Sequence, residues 1–305
     1  MVKSQIPKPK SQEGWQGWDE YAPFYDWENT RTLGRRDVAF WRTLCLQSRG
    51  PVLELGCGTG RISLPLGRAG VQVVGIDRSE PMLARARQRI RRAKLTDAVR
   101  LVRGDIRHLP FLAGPKGPAL RSVGGRRAGS FPSTSLSDPE QRRGFGPAGA
   151  HGPFALVLAP YGVLQSLLRE RDLTATLQAV SAALEPGATF GLELVADLPS
   201  WKEYRKRVSL TGWRHRAGGT RVTLVETVRQ DPRRKLTIFD QEFTERRGRA
   251  TRTHTFALAF RTLTVPQMAR RLRAAGFEVT ALLGDYRGGP WDKRAEVWVI
   301  LARKA

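Results

Sequence analysis

The chain has 305 residues, 40% hydrophobic and 26% charged, which suits one large domain or two small ones with a buried core and excludes a disordered or fibrous chain. No apolar run reaches the roughly 18 residues of a membrane span, Met1–Lys10 lacks an apolar leader segment, and two cysteines, Cys45 and Cys57, are too few for a disulfide framework or a Cys-rich metal site, so a cytoplasmic protein is expected. Lys and Arg number 52 against 28 Asp and Glu, a formal net charge of +24, but the arginines are spread through every segment, which reads as a surface bias before it reads as a stripe for a polyanion.

In chain order, Val52–Leu55 is a short apolar strand running into Gly56-Cys57-Gly58-Thr59-Gly60, with a helix expected over Arg61–Ala69 and stopped by Gly70. Val71–Ile76 is the continuous apolar run of a strand buried on both faces. Ser79 caps a second helix with Glu80 and Pro81 in its first turn, and Met82, Ala86 and Ile90 mark its buried stripe. Val99–Val102 is a third strand, ending at Gly104-Asp105. Between 113 and 153 the chain is rich in Gly, Pro, Ser and Arg without apolar periodicity, so a disordered insertion is expected there.

The alternation resumes with a strand at Phe154–Ala159, a helix within Glu170–Leu184, a turn at Glu185-Pro186-Gly187 and a strand at Thr189–Val195. Trp201–Arg207 reads as a short helix. Arg221–Arg229, Leu236–Thr244 and Thr253–Phe260 read as strands of an antiparallel meander, joined by Asp231-Pro232-Arg233-Arg234 and Arg246-Arg247-Gly248-Arg249. A helix at Val265–Ala275 and strands at Val279–Leu283 and Ala295–Leu301 close the chain. The expected organisation is an N-terminal lid (1–50), a Rossmann-like core (51–196), an inserted β unit (197–262) that covers substrate or forms a homodimer contact, and the C-terminal part of the core (263–305).

A glycine-rich turn after the first strand, with Asp77 ending the second, is a nucleoside-binding signature: glycines permit close backbone approach, and the acid accepts from ribose hydroxyls. The run Glu54-Leu55-Gly56-Cys57-Gly58-Thr59-Gly60 resembles motif I of the class I S-adenosylmethionine-dependent methyltransferases. Gly75-Ile76-Asp77-Arg78-Ser79-Glu80-Pro81-Met82-Leu83, Gly104-Asp105-Ile106 and Leu184-Glu185-Pro186-Gly187 resemble that family's later motifs. The resemblance implies an α/β Rossmann-like fold, a mostly parallel seven-stranded sheet with an antiparallel last strand, and S-adenosyl-L-methionine as cofactor. By position it implies that Glu54, Gly56, Gly58 and Gly60 surround the methionine part and ribose. Asp77 then holds the ribose, Asp105 the adenine amino group and Ile106 the ring. Cys57 and Arg78 lie within the same motifs. Tyr25, in a segment resembling the family's N-terminal lid, joins the cofactor set.

Two departures narrow the substrate. Ala155 stands where many relatives carry Asp, and Ala159-Pro160-Tyr161-Gly162 lacks the polar first residue and second proline of the nucleic-acid amino-methyltransferases. A small-molecule acceptor at N or O is therefore expected, with a tRNA or rRNA methyltransferase as the alternative and a non-catalytic cofactor-binding protein as the third reading. Catalytic candidates are Tyr25, Tyr161, Glu193 and His254, with Asp197 and His215 nearby in sequence. Trp201, Tyr204, Trp213, Phe239 and Phe243 are candidates for a substrate wall.

Overall fold

The computed structural model describes residues 13–32, 36–48, 50–111, 153–196, 201–214, 219–295 and 297–305. The insertion expected over 113–153 falls outside them but for its last residue, as do Asp197 and His215. Helices α1 (Trp18–Thr32) and α2 (Arg36–Gln47) precede β1 (Val52–Leu55), α3 (Ser63–Arg68), β2 (Val73–Asp77), α4 (Glu80–Arg92) and β3 (Val99–Arg103). Then come β4 (Phe154–Ala159), a single 3-10 turn (Val163–Ser166), α5 (Glu170–Ala183) and β5 (Leu184–Val195). Strands β6 (Tyr204–Trp213), β7 (Arg221–Asp231), β8 (Leu236–Arg247) and β9 (Ala250–Arg261) lead to α6 (Val265–Ala274), β10 (Phe277–Leu283) and β11 (Val297–Lys304).

Seven strands form one sheet in the order β10-β11-β5-β4-β1-β2-β3, parallel except for β11, which runs antiparallel to both its neighbours. The near-continuous apolar runs of β1, β2 and β4 are explained by cover on both faces. Val52 and Val73 pack with Trp41, Leu66, Leu83 and Ala86 from α2, α3 and α4. Leu53, Val74 and Val157 turn the other way, against Leu173, Leu177, Met268 and Leu272 of α5 and α6. The helix starts follow their capping residues. Ser79 Oγ accepts from Met82 N (3.3 Å) at the head of α4, and Thr264 and Gln267 exchange side-chain-to-backbone bonds at the head of α6. At the entry to β5, Leu184 pairs with Phe154 and Thr189 with Leu156, so the Glu185-Pro186-Gly187 turn is a bulge at the strand's start.

The β unit is a four-stranded antiparallel sheet, β6-β7-β8-β9. Its first strand corrects the helix expected over Trp201–Arg207. Tyr204 already pairs with Val228, and two register shifts with a left-handed Lys206 (φ 47°) carry the charged run along an exposed sheet edge. Basic, bulged edges resist pairing with other chains, which is why this stretch does not look like a strand in sequence.

Helix α1 is wedged between this second sheet and α4. Phe24 is fully buried and stacks on Phe243 with ring centroids 4.2 Å apart, while Tyr21, Trp27, Val222, Leu224, Leu258 and Met82 complete the cluster. Asp26 fastens the same helix to the glycine turn: it accepts from Thr59 Oγ1 (2.7 Å), and Arg89 (3.1 Å) and Arg85 (3.3 Å) pair with it. Truncating Phe24 to alanine should destabilise the protein by about 3–5 kcal/mol. Urea denaturation checks this; an unchanged midpoint would mean that α1 is not part of the cooperative core.

Candidate functional site

The strand order reverses between β1 and β4, and the carboxyl ends of both open into a cavity of about 420 Å³. Open α/β sheets bind ligands at such a crevice. The glycine turn forms its floor. Gly56 has φ +62°, and a Cβ there would lie 2.2 Å from Val163 Cγ2, so the turn and the segment after β4 close up only over glycine. Gly58 has φ +53°, and its missing Cβ would meet nothing closer than the Gly56 carbonyl oxygen at 4.0 Å, which leaves cavity beside the backbone. Gly60 does not line the cavity; it packs on Leu64 of α3.

Asp77 ends β2 against this turn. Its Oδ2 accepts from Gly58 N and its Oδ1 from Ser79 N, both at 2.8 Å. Burial pushes its carboxyl above the usual range against the pull of those backbone bonds. Each oxygen keeps a lone pair, so two vicinal hydroxyls would complete its shell. Glu54, on β1, is 2% exposed, lines the cavity and accepts from Ser63 Oγ. Burial pushes it up to about 8, with the neighbouring Asp77 charge adding to the shift. Asp105 differs: burial would raise it, but Arg107, bonding both carboxylate oxygens at 2.7–3.1 Å, holds it below the usual range. Arg107 also reaches Asp172 at 3.0 Å, so Asp105 is a fixed acceptor rather than a free one. Cys57, Arg78 and Ile106 line the same cavity.

Tyr25 from α1 and Tyr161 after β4 both line the cavity. Burial raises both phenols, so each stays protonated near neutral pH and is a hydrogen-bond donor rather than a base. Tyr161 sits at φ +52°, a conformation rare for a bulky side chain and followed by left-handed Gly162. Glu193 holds that turn. Its Oε2 accepts from Tyr161 N (3.2 Å), its backbone oxygen from Gly162 N (3.1 Å) and its Oε1 from Tyr286 Oη (2.8 Å). Glu193 thus positions Tyr161 from behind and does not line the cavity. His254 does not line it either: Nε2 faces Glu245 at 3.3 Å and the ring edge meets Phe24. Of the aromatic residues of the β unit, Phe239 and Phe243 are core, Trp213 is exposed, and the side chain that reaches the cavity is Phe260.

Sequence reasoning did not single out Arg61, Trp15 or Trp18. Arg61 directly follows the glycine turn, makes a two-pronged ion pair with Asp37 (2.5 and 2.8 Å) and lies 5.7 Å from the Tyr161 ring centroid. Trp15 carries Arg78 on its face at 4.3 Å. These contacts span dozens of residues and leave no periodic signal.

Fold and site together define a doubly wound α/β protein with a glycine turn and a buried carboxylate at the crevice where its strand order reverses. Residues 52–116 match the family model of a methyltransferase domain. The demethylmenaquinone methyltransferase of Lactiplantibacillus plantarum is 38% identical over 103 residues, 31% of this chain and 43% of that one, so this match spans less than half of the relative's length. The cypemycin N-terminal methyltransferase of a Streptomyces species is 26% identical over 255 residues, 83% of each chain. The methyltransferase CcbJ from Streptomyces caelestis superposes with a TM-score of 0.65 at 20% identity, covering 94% of this chain and 97% of that one. Residues 52–116 thus match a methyltransferase domain and nearly the whole chain shares the fold of a solved methyltransferase, in keeping with the resemblance of its motifs to those of the class I S-adenosylmethionine-dependent enzymes.

The cavity residues fit that cofactor: Asp77 is an unsaturated acceptor for ribose hydroxyls, and Glu54 is an acid for a cationic methionine part. Asp77→Asn should weaken S-adenosylhomocysteine binding at least tenfold, since charge-assisted bonds contribute about 1.5–3 kcal/mol; calorimetry that found equal affinity would remove Asp77 from the site. Glu54 generates a second expectation. Below about 8 it is protonated in the free protein, and a bound cation favours its ionised form, so binding releases a proton and affinity rises as pH climbs toward that value. Glu54→Gln should flatten this slope, measured by calorimetry in buffers of different ionisation enthalpy.

Proposed function

We propose that the protein is a cytoplasmic enzyme that moves a methyl group from S-adenosylmethionine to a nitrogen or oxygen atom of a small molecule. The observation that carries this reading is one cavity lined at once by Glu54, Gly58 and Asp77 from the sheet, Tyr25 from α1 and Tyr161 from the β4 turn. When bound, the cofactor supplies an already activated methyl group, so the protein's work is alignment, where well-oriented reactants gain about 7–11 kcal/mol. Asp77 and the glycine turn hold the ribose. Asp105, fixed by Arg107, accepts from the adenine amino group, and Ile106 faces the ring. Tyr25 and Tyr161 donate to the acceptor and exclude water around it, with Glu193 keeping Tyr161 in its left-handed turn.

Helix α1 and the second sheet cover this cavity, which supports a compact acceptor over a folded RNA. The cypemycin relative, named for N-terminal methylation, supports nitrogen. In this reading residues 1–50 act as the lid, 51–196 and 263–305 as the cofactor core, and 197–262 as substrate cover and surface for a homodimer. Buried, unpaired Cys45 and Cys57 suit a reducing compartment. Among the described residues no helix is long and apolar enough to cross a membrane.

Incubation with methyl-labelled cofactor and a cell extract tests the proposal. Label is expected in the small-molecule filtrate, and Tyr161→Phe should slow its appearance by about 10²-fold or less. Label in the RNA fraction would replace the substrate assignment, and no transfer to either would remove the activity.

A further inference from the structure

Beneath the second sheet lies a group of acids that the cofactor does not account for. Glu226 of β7 is 9% exposed; its Oε2 accepts from Tyr204 Oη (3.1 Å) and its Oε1 from Gln241 Nε2 (3.0 Å). Glu28 of α1 accepts from Tyr21 Oη (2.9 Å), and the charges of the two glutamates bear on each other. Among the described residues no Arg, Lys or His lies within ion-pair distance of either carboxylate. A protein carrying a formal +24 thus keeps two half-buried to buried acids without a cation.

Gln241 supplies the independent sign of a missing ligand. It is 6% exposed, and its Oε1 has no hydrogen-bond partner. The amide cannot be turned over to relieve this, because the Glu226 carboxylate only accepts and requires the NH₂ group. Among the described residues the group therefore offers carboxylate and carbonyl acceptors without a donor of positive charge. An alkylammonium has that charge, three N–H donors and no acceptor. Aromatic faces suited to a cation surround the same place, with Tyr21 packed on Tyr25, Phe256 and Phe243 at centroid distances of 5.5–6.1 Å. Tyr25, packed on Tyr21, also lines the cofactor cavity, and Glu28 lies close enough for its charge to act on Tyr161.

We infer that Glu28, Glu226 and Gln241 form the acceptor subsite and that the acceptor is a small molecule bearing an aliphatic amine, bound as its ammonium. This narrows the methyl-transfer reading above, on which it rests, from nitrogen or oxygen to an amine: the ammonium gives one proton to the Glu28 carboxylate, and the freed lone pair takes the methyl as the S–CH3 bond breaks and S-adenosylhomocysteine leaves.

The test uses ethanolamine and 1,4-diaminobutane as probes, with ethylene glycol as the uncharged control, titrated into the full chain saturated with S-adenosylhomocysteine and followed by ligand-observed NMR. Both amines are expected to bind and the glycol not to. Glu226→Gln should weaken amine binding about tenfold or more while S-adenosylhomocysteine affinity stays within about twofold. If Glu226→Gln loses the nucleoside as well, it has not folded, and Glu28→Gln, at the more accessible side of the pair, takes its place with the same expectation. Absence of amine binding to the wild type, or equal binding to the Glu28→Gln/Glu226→Gln double variant, overturns the inference. Failure of the wild type to bind S-adenosylhomocysteine overturns the cofactor reading instead, and the amine titration of the free protein then judges the recess separately.

Discussion

The site is organised around the bonds between the Asp77 carboxylate and two backbone amides, Gly58 N in the turn after β1 and Ser79 N at the start of α4. They tie the ends of two parallel strands together at the point where a ligand must enter, and they do so through a buried acid whose ionisation burial opposes. Every donor directed at that acid lowers the cost of keeping it charged. The left-handed glycines follow from the same requirement. With Val163 2.2 Å from where a Gly56 Cβ would stand, the turn reaches Asp77 only if the backbone itself makes the wall.

A second tier of the structure holds this arrangement closed. Asp26 reaches from α1 to Thr59 in the glycine turn and to Arg85 and Arg89 on α4. The next residue, Trp27, donates its indole N–H to the Trp213 carbonyl at the end of β6. Helix α1 is thus the element through which the second sheet senses the core: its polar side is bonded to the cofactor turn and its aromatic side to the β7–β9 face. Tyr25, between those two sides, enters the cavity because both contacts fix the helix's rotation.

How much of this was legible in the sequence depended on the range of the interaction. The glycine turn, Asp77, Asp105 and the Ser79 cap are local patterns, dictated by backbone conformation within a few residues; the turn follows β1, Asp77 ends β2 and Ser79 heads α4 as read, although Gly60 packs on Leu64 and does not line the cavity. The antiparallel course of β11 was implied by the family resemblance, whereas the meander was readable from period and turn residues. The edge strand β6 was not, because its charged, bulged course serves solubility and not burial, and so resembles an exposed helix. Glu193 and His254 were legible as titratable residues near the right strand ends, but which way each side chain turns is decided by Tyr286 and Glu245, partners 93 and 9 residues away. The Glu28–Glu226–Gln241 group had no signature at all, since its members come from α1, β7 and β8 and meet only when the second sheet closes.

The net charge illustrates why composition is a poor guide to the ligand. Arg61, Arg78 and Arg107 all line the cavity, yet Arg61 is committed to Asp37 and Arg107 to Asp105 and Asp172, while Arg78 lies over Trp15 and 3.5 Å from Asp105. The acids of the interior fall into two kinds. Asp37, Asp105 and Asp172 have their charge balanced by these arginines. Glu54, Asp77, Glu28 and Glu226 are bonded by hydroxyls, amides and backbone N–H groups, which stabilise a carboxylate without cancelling its charge. At close range and low dielectric such acids respond to a bound cation, whereas the many surface arginines act through solvent and are screened within about 10 Å at ordinary salt. A protein that is strongly cationic from outside therefore keeps Glu54 and Asp77 at its cavity without a paired cation among the described residues, a surrounding that suits the sulfonium and ammonium groups of the proposed reaction better than phosphates.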